Sequence, residues 1–318
     1  EDLSLRSTTP INEGVIESIL SGAKDVLSKE PINLEAFASQ LRLARQRFML
    51  LTAYRDLNGL ADLKEVTEGI SLFAEKAIAI SIEALHIDMK PLVGEPLSAD
   101  GAYVPLMVVG MGKLGGRELN VSSDIDLVFV YEDEGDTQGG VKSISHHEWY
   151  TRLGKKLISL LSEFASDGFV FRVDMQLRPF GSEGQITCSY QMLEDYYQKY
   201  GREWERYAWV KGRVIMGPQI ELYKIIDPFV YRRYLDYGAL NSMRDLKNQI
   251  QNDVKKRGIQ ENIKLGRGGI RKVEFIAQVY QLIRGGQDKT LRLKSLLPTL
   301  ALLETKQLLS KEGVKALS

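Results

Sequence analysis

The sequence predicts an α+β protein that is mostly helical, with a small sheet flanked by N-terminal helices and a C-terminal helical bundle. Two observations predict this class. Apolar residues recur at three- and four-residue steps over residues 33 to 90 and again from Tyr190 onward, which is typical of amphipathic helices. Between these regions, the short apolar runs Leu106–Val109 and Ile125–Tyr131 are typical of buried strands.

Charge and cysteine content exclude several classes of protein. The 318 residues include 42 Lys+Arg and 42 Asp+Glu, so the net charge is zero. This balance argues against a nucleic-acid binder or an anionic-membrane binder. The single cysteine, Cys188, cannot form an internal disulfide, and no apolar stretch is long enough to span a membrane. We therefore expect a cytoplasmic protein without nucleic-acid or membrane partners.

The length favours more than one domain. The N-terminal helical pattern is broken at Asn58-Gly59, and a segment rich in proline and glycine near residues 91–101 predicts a domain boundary. We place an N-terminal helical region at 1–95, a sheet domain at 96–217 and a C-terminal helical bundle at 218–318. Because the helical pattern runs to the last residues, we expect this bundle to continue beyond the chain.

The middle region predicts a mixed sheet. A glycine-rich loop, Gly110–Gly116, separates the two apolar strands, and an amphipathic helix carrying Trp149, Leu153 and Leu157 leads to a third strand, Phe169–Leu177. Beyond Tyr190 the pattern predicts helices over 190–200, 202–215, 219–235, 239–257, 271–284 and 295–308, interrupted by the glycine-containing loop Ile263–Ile270.

Two aspartates mark the start of the second strand. Asp124 and Asp126 are two residues apart, so both project from one face, roughly 6–7 Å apart. Neighbouring carboxylates repel each other unless a cation lies between them, and Mg²⁺ prefers such oxygen ligands. Taken alone, an Asp-x-Asp pair is more often a solvated strand end.

A third carboxylate comes from the third strand. Alternation along Phe169–Leu177 places Arg172, Asp174 and Gln176 on one face, and a polar face within an apolar sheet needs partners. Three carboxylates on adjacent strands are what two-metal phosphoryl or nucleotidyl transfer requires. Asp124, Asp126 and Asp174 are therefore the predicted catalytic and metal-binding residues.

The glycine-rich loop is the predicted phosphate cradle. Gly112, Gly115 and Gly116 allow close approach of the backbone to a phosphate, and Lys113 and Ser123 are placed to touch it. The loop matches neither the P-loop nor the dinucleotide-binding pattern. A glycine-rich stretch alone is more often an ordinary turn.

Several long blocks resemble the family of glutamine synthetase adenylyltransferases, bifunctional enzymes that add AMP to a tyrosine of glutamine synthetase and remove it. The first block is GMGKLGGRELNVSSDIDLVFVYEDEG. The others, in chain order, are YRDLNGLADL before it and DGFVFRVDMQLRPFG, LEDYYQKYGREWERYAWVKGRVI and NIKLGRGGIRKVEFIAQVYQLIRGG after it. The resemblance covers about residues 40 to 300 and implies a nucleotidyltransferase sheet of the polymerase-β type.

The family has two similar halves, and this chain resembles the N-terminal, adenylyl-removing half more closely. Lys264-Leu265-Gly266-Arg267 stands where the adenylylating half has an acidic stretch, and Val121 lies near a position where that half has a tyrosine. Lys272 departs from both halves, which tend to carry an acid there.

The resemblance implies phosphorolysis: inorganic phosphate attacks the AMP phosphorus, ADP leaves and the tyrosine is restored. It implies two Mg²⁺ ions, with Mn²⁺ as an alternative. The implied partners are adenylylated glutamine synthetase and the PII signalling protein, with phosphate and ADP or ATP as small ligands.

A local excess of positive charge supports an anion site. Residues 244–272 hold nine basic and three acidic side chains, including Lys264 and Arg267, although a solvated helix face followed by a basic loop explains the run equally well. Arg178 is a further candidate for a phosphate contact. Glu274 is either a polar contact at the cleft or an ordinary helix acid, and His146 and His147 are expected at the surface where a helix starts.

Three rival functions stay open. The first is that of the ATP-dependent adenylylating half, the second that of a polymerase or tRNA-tailing enzyme, and the third that of a non-catalytic docking module. Zero net charge argues against the second. A set of three neighbouring acids argues against the third, because such acids are costly to keep without a metal.

Overall fold

A computed structural model of the chain describes residues 9–232 and 269–317. Its first part consists of three helices, α1 (Glu13–Leu27), α2 (Leu34–Leu57) and α3 (Leu63–Val93). Each helix begins at a side chain that accepts a backbone N–H from its first turn, which is the usual way to satisfy those donors. These capping residues are Asn12, Asn33 and Asp62.

A mixed sheet follows the three helices. Its strands in the described part of the chain are β1 (Met107–Gly110), β2 (Ile125–Tyr131), β3 (Val173–Asp174), β4 (Thr187–Ser189) and β5 (Arg213–Met216). Strand β2 pairs antiparallel with β1 on one edge. On its other edge it pairs in parallel with β3 at its start and with β4 at its end. Strand β5 lies beside β1 at the edge of the sheet.

The sheet and the N-terminal helices share one core. β1 is buried throughout, as is β2 apart from Asp126, which explains why both read as continuous apolar runs. Helix α4 (Gly112–Gly115) is a single turn after β1, and α5 (His146–Ser162) covers the sheet with Trp149, Leu153 and Leu157. The indole N–H of Trp149 donates to the Gly94 carbonyl at 3.0 Å, and this bond joins α5 to the end of α3.

Six further helices follow: α6 (Tyr190–Lys199), α7 (Glu203–Val210), α8 (Ile220–Val230), α9 (Ile270–Arg284), α10 (Leu296–Thr305) and α11 (Lys311–Leu317). The last three of these build a second, smaller core around Ala277, Leu300 and Leu303. No helix in the described ranges is both long and apolar enough to cross a membrane.

The chain forms two compact units. One comprises Glu1–Met192 and Val214–Pro218, and the other comprises Leu193–Arg213 and Gln219–Ser318. In this grouping the N-terminal helices and the sheet belong together. The domain boundaries near residues 95 and 217 stay a prediction.

The mostly helical α+β class and the mixed sheet are confirmed. The predicted third strand is wrong in its extent, because only Val173 and Asp174 pair as strand. Before them, the N–H groups of Val170 and Phe171 donate to the Leu161 carbonyl at the end of α5. After them, Asp174 Oδ1 accepts the Gln176 N–H at 2.8 Å, which turns the chain out of the sheet.

The helix predicted over 202–215 is also wrong in its second half. It ends at Val210, and the N–H groups of Lys211 and Gly212 fold back onto the carbonyls of Ala208 and Trp209. Residues Arg213–Met216 then form β5. The sequence analysis missed α1 and β4, and the helix predicted over 239–257 lies outside the described residues.

Candidate functional site

The glycine-rich segment forms a tight turn against β2. The Met111 N–H donates to the Asp126 carbonyl at 2.9 Å, so the turn is fixed to the strand that carries Asp126. The N–H groups of Gly115 and Gly116 donate to the carbonyls of Met111 and Gly112 at 3.0 and 3.1 Å. These two donors are therefore used within the turn, and the phosphate contacts predicted for them stay a prediction.

Gly112 gives the Asp126 carboxylate the space it occupies. The φ of Gly112 is +52°, and a Cβ at this position would lie 2.9 Å from Asp126 Oδ2. Such a distance is shorter than a normal contact, so a side chain would push against the carboxylate. Glycine is required here both for its backbone conformation and for the room it leaves.

Asp126 and Asp174 are direct neighbours across two parallel strands. The register pairs Asp126 with Asp174 and Ile125 with Val173. Both aspartates are half-buried. The prediction that the sheet brings these two positions together is therefore consistent with the structure, although β3 is shorter than expected.

Asp124 has a different partner. Its Oδ1 accepts a hydrogen bond from Nε of Arg172, and the same guanidinium donates to the Ser122 carbonyl at 2.8 Å. The exposed fractions of the two side chains are 50% for Asp124 and 59% for Arg172, so this ion pair lies in contact with solvent. The predicted set did not include Arg172, although the alternation of Phe169–Leu177 had placed it on the face of Asp174.

Lys113 contacts Ser123, which directly precedes Asp124 in the sequence. Lys113 Nζ donates to Ser123 Oγ at 3.3 Å, and that hydroxyl donates to Asn120 Oδ1 at 2.7 Å. Ser123 Oγ also accepts the Asn120 N–H at 3.2 Å. A lysine and a hydroxyl beside a carboxylate form a polar group of the kind that binds phosphate.

Arg178 organises the loop that follows β3. Its guanidinium donates to the carbonyls of Met175 at 2.7 Å and of Ser182 and Gly184 at 3.2 Å. Burial lowers the pKa of Arg178, and the nearby charge of Asp174 opposes that shift. The described contacts of Arg178 thus hold the loop beside Asp174, and its predicted phosphate contact stays a prediction.

Two of the three predicted metal ligands are neighbours in the sheet. Within residues 9–232 and 269–317, no three His, Cys, Asp or Glu side chains are grouped so that they could hold a metal ion. The carboxylates of Asp126 and Asp174 are hard oxygen donors on neighbouring strands, and as a pair they fit Mg²⁺. Asp124 is paired with Arg172, and its predicted metal contact stays a prediction.

The remaining predicted residues divide into two groups. Lys264 and Arg267, with most of the basic run, lie outside the described residues. Glu274 lies on α9 and pairs with Lys211 at 2.5 Å, and Lys272 lies on the same helix.

His146 does not match the prediction of a surface position, whereas His147 is partly exposed. His146 is the first residue of α5 and is buried, and its Nδ1 lies 2.9 Å from the Asp133 carbonyl. Nδ1 of His147 lies 3.1 Å from the Tyr131 hydroxyl, which also donates to Glu134 at 2.7 Å. Burial, followed by the contact with Glu134, raises the pKa of Tyr131.

Residues 7–224 match the glutamate-ammonia ligase adenylyltransferase family, and residues 244–318 match the GlnD PII-uridylyltransferase family. The chain is also similar to proteins named bifunctional glutamine synthetase adenylyltransferase/adenylyl-removing enzyme. The relative from Ralstonia nicotianae is 47% identical over 309 residues, covering 89% of this chain and 32% of the relative. The relative from Aromatoleum aromaticum is 48% identical over 92% of this chain and 31% of its own length. The relative from Chromobacterium violaceum is 49% identical over 89% and 32%.

This chain thus spans about a third of the length of the curated relatives that it matches. Because the family match and the high identity to these relatives both cover most of the chain, the chain belongs to the glutamine synthetase adenylyltransferase family.

Proposed function

We propose that the chain removes AMP from adenylylated glutamine synthetase by metal-dependent phosphorolysis. In this reaction an oxygen of hydrogen phosphate bonds to the AMP phosphorus and the bond from that phosphorus to the tyrosine oxygen breaks. The proton of hydrogen phosphate passes to the tyrosine oxygen, so the products are ADP and unmodified tyrosine. The observation that carries the proposal is the register of Asp126 with Asp174 beside the Gly112 turn, in a chain of this family.

The proposed cation is Mg²⁺, held by Asp126 and Asp174 and joined by Asp124 once Arg172 releases it; a second ion, or Mn²⁺ in its place, belongs to the same proposal. When bound, the metal supplies positive charge at the phosphoryl oxygens. The chain's own residues orient the reactants. The Gly112 turn keeps the Asp126 carboxylate in place, and Lys113 with Ser123 offers a phosphate contact beside Asp124.

No side chain is needed as general base in this proposal. Hydrogen phosphate is already an anionic nucleophile near neutral pH, and it carries the proton that the tyrosine oxygen receives. The rate enhancement then comes from positioning and from charge stabilisation, as in other phosphoryl transfers. The half-buried positions of Asp126 and Asp174 support this reading, since charges interact more strongly where water is partly excluded.

The adenylyl-removing direction is supported by the residues at 264–267, which resemble that half of the family. The relatives' names carry both activities, so the ATP-dependent addition of AMP is the alternative. A non-catalytic docking role is a weaker alternative, because it gives the neighbouring acids Asp126 and Asp174 no function.

We further propose adenylylated glutamine synthetase as substrate and the PII protein as regulator. The names of the relatives support the first partner. The match of residues 244–318 to a family whose name contains PII supports the second.

The test is release of ADP from adenylylated glutamine synthetase with Mg²⁺, in the presence and absence of inorganic phosphate. The unaltered chain is compared with Asp126→Asn and with Asp25→Asn, which removes an exposed carboxylate from α1. We expect phosphate-dependent ADP from the unaltered chain and from Asp25→Asn. We expect Asp126→Asn to be at least about 100-fold slower, because a metal ligand is lost.

Other results of this experiment would change the proposed assignment or test its parts. Transfer of AMP from ATP onto unmodified glutamine synthetase, without phosphate-dependent ADP, would assign the chain to the adenylylating half. An Asp126→Asn variant within about tenfold of the unaltered rate, or about 1.4 kcal/mol of barrier, would contradict the role of the carboxylate. Activity that appears only when PII is added would support the proposed regulator.

A further inference from the structure

A second arginine lies close to the Asp124–Arg172 pair. Arg45 projects from α2, and its guanidinium stacks over the Phe169 ring at 4.9 Å from the ring centroid. Phe169 is three residues before Arg172, so the stack brings Arg45 to the segment that carries Arg172. Burial lowers the pKa of Arg45, and the positive charge of Arg172 lowers it further.

Arg45 lacks an acidic partner among the described residues. Its Nε is buried and makes no hydrogen bond within the described part of the chain. Asp167, which lies two residues before Phe169, is bound to Arg42 and accepts from Ser39 at 2.9 Å. A buried donor without an acceptor destabilises the folded chain, and two neighbouring positive charges add to that cost.

Arg172 has more N–H donors than its two described contacts use, so it can also donate to a ligand. A guanidinium carries five N–H donors, and those of Arg172 are shared between Asp124 Oδ1 and the Ser122 carbonyl in the described contacts. Its side chain is 59% exposed, so a small solute can reach it. Arg45 lies on α2, and Arg172 directly precedes β3. Two guanidiniums near one point can both donate to the oxygens of one phosphate.

We propose that Arg45 and Arg172 form the subsite for the attacking inorganic phosphate, immediately beside Asp124. This assignment rests on the proposed phosphorolysis. A phosphate dianion is repelled by Asp124 and Asp126, and two guanidiniums offset that repulsion at the point of entry. The ion pair seen in the structure then represents Arg172 held by Asp124 until phosphate takes its place as the partner.

The subsite is tested by equilibrium binding of inorganic phosphate alone and of AMP alone, measured by isothermal titration calorimetry. The chain is compared with Arg45→Gln, Arg172→Gln and Arg47→Gln, the last being an exposed arginine on the same helix as Arg45. We expect phosphate affinity to fall at least about tenfold in the first two variants, or 1.4 kcal/mol, and to stay unchanged in Arg47→Gln. AMP affinity should stay within about twofold throughout.

The variant Arg45→Lys distinguishes phosphate binding by Arg45 from a purely structural role. This variant keeps the charge and loses the planar stack, so we expect its phosphate affinity to lie closer to that of the unaltered chain than Arg45→Gln does. Thermal unfolding of each variant shows whether it is folded, and Arg172→Gln is an independent probe if Arg45→Gln is not.

The possible results separate the subsite from the function. Unchanged phosphate affinity in both glutamine variants, no phosphate binding by the unaltered chain, or loss of AMP binding instead would each overturn the subsite. If the affinity falls as expected but the unaltered chain produces no ADP, the subsite stands and phosphorolysis is wrong. If ADP production depends on phosphate and the variants keep the phosphate KM, the function stands and the subsite is wrong.

Discussion

Gly112 and the Asp126 carboxylate share a space too small for one more carbon atom. At +52°, the φ of Gly112 is costly for any other residue, and its absent Cβ would lie 2.9 Å from Asp126 Oδ2. We expect Gly112→Ala to lower the free energy of unfolding by about 1–2 kcal/mol and to slow ADP release by at least about tenfold, because the carboxylate is displaced.

Gly139→Ala is the matched control for this prediction. The φ of Gly139 is +81°, and a Cβ there would meet nothing within 4 Å, so it carries the backbone penalty without the clash. Chemical denaturation measures the stability of both variants. An equal loss of activity in Gly112→Ala and Gly139→Ala would show that the effect is global and not local to Asp126.

Alternation along the chain placed Asp126 and Asp174 on the polar faces of two strands predicted to be adjacent, and the structure pairs these two positions. Their roles as catalytic residues stay a prediction. The contact of Arg172 with Asp124 joins residues 48 apart and depends on where β3 starts, which the pattern of Phe169–Leu177 did not show. Arg45 lies on a predicted helix, but no local signal relates it to Phe169.

The loop after β3 is an element built around one side chain. Arg178 donates to carbonyls of Met175, Ser182 and Gly184, so one guanidinium holds together the loop that begins beside Asp174. A lysine has one nitrogen and cannot reproduce this geometry. We expect Arg178→Lys to lower the free energy of unfolding by about 1–2 kcal/mol and to speed amide hydrogen exchange in residues 175–184.

Hydrogen exchange followed by mass spectrometry measures that prediction, with Arg152→Lys as control. Arg152 forms an exposed pair with Glu148 on α5, so its replacement should leave exchange unchanged. Exchange in the loop that is the same for Arg178→Lys as for the unaltered chain would contradict the organising role. In that case a direct contact with phosphate becomes the better account of Arg178.

Apart from α1, the long elements were predicted more reliably than the short ones. Helices α2, α3 and α5 repeat their apolar spacing over several turns, and each was expected near its observed position. Strands β4 and β5 have three and four residues, too few to show a period, and β5 follows directly on a helical pattern. Their pairing with β2 and β1 is decided by the rest of the sheet and not by their own residues.

At the scale of the whole molecule, the chain carries a single thiol. Cys188 lies in β4, is buried, and contacts the Phe129 carbonyl at 3.7 Å. Burial raises the pKa of the Cys188 thiol to about 12. Because the thiolate is the reactive form, only about one molecule in 10⁴ is reactive at pH 8 even before access is considered.

We therefore expect no alkylation of the native chain by iodoacetamide at pH 8 within minutes, and complete alkylation in denaturant. Intact mass measures the result as zero or one adduct. Ser21→Cys adds an exposed thiol on α1 and should gain one adduct under native conditions. Rapid labelling of the unaltered chain would mean that β4 opens readily from the sheet.

Strand β5 has a consequence for how the chain is made. The antiparallel strands β1 and β2 leave the ribosome early, but the partner on the other edge of β1 begins at Arg213, about 100 residues after Gly110. During synthesis this edge of β1 therefore remains unpaired while α5, β3, β4, α6 and α7 emerge. Its backbone N–H and C=O groups are available to other strands during that time. At a translation rate of about 5–20 residues per second this interval lasts roughly 5–20 seconds. The nascent chain is then most prone to pairing with a wrong strand, and synthesis of residues 213–216 ends that period.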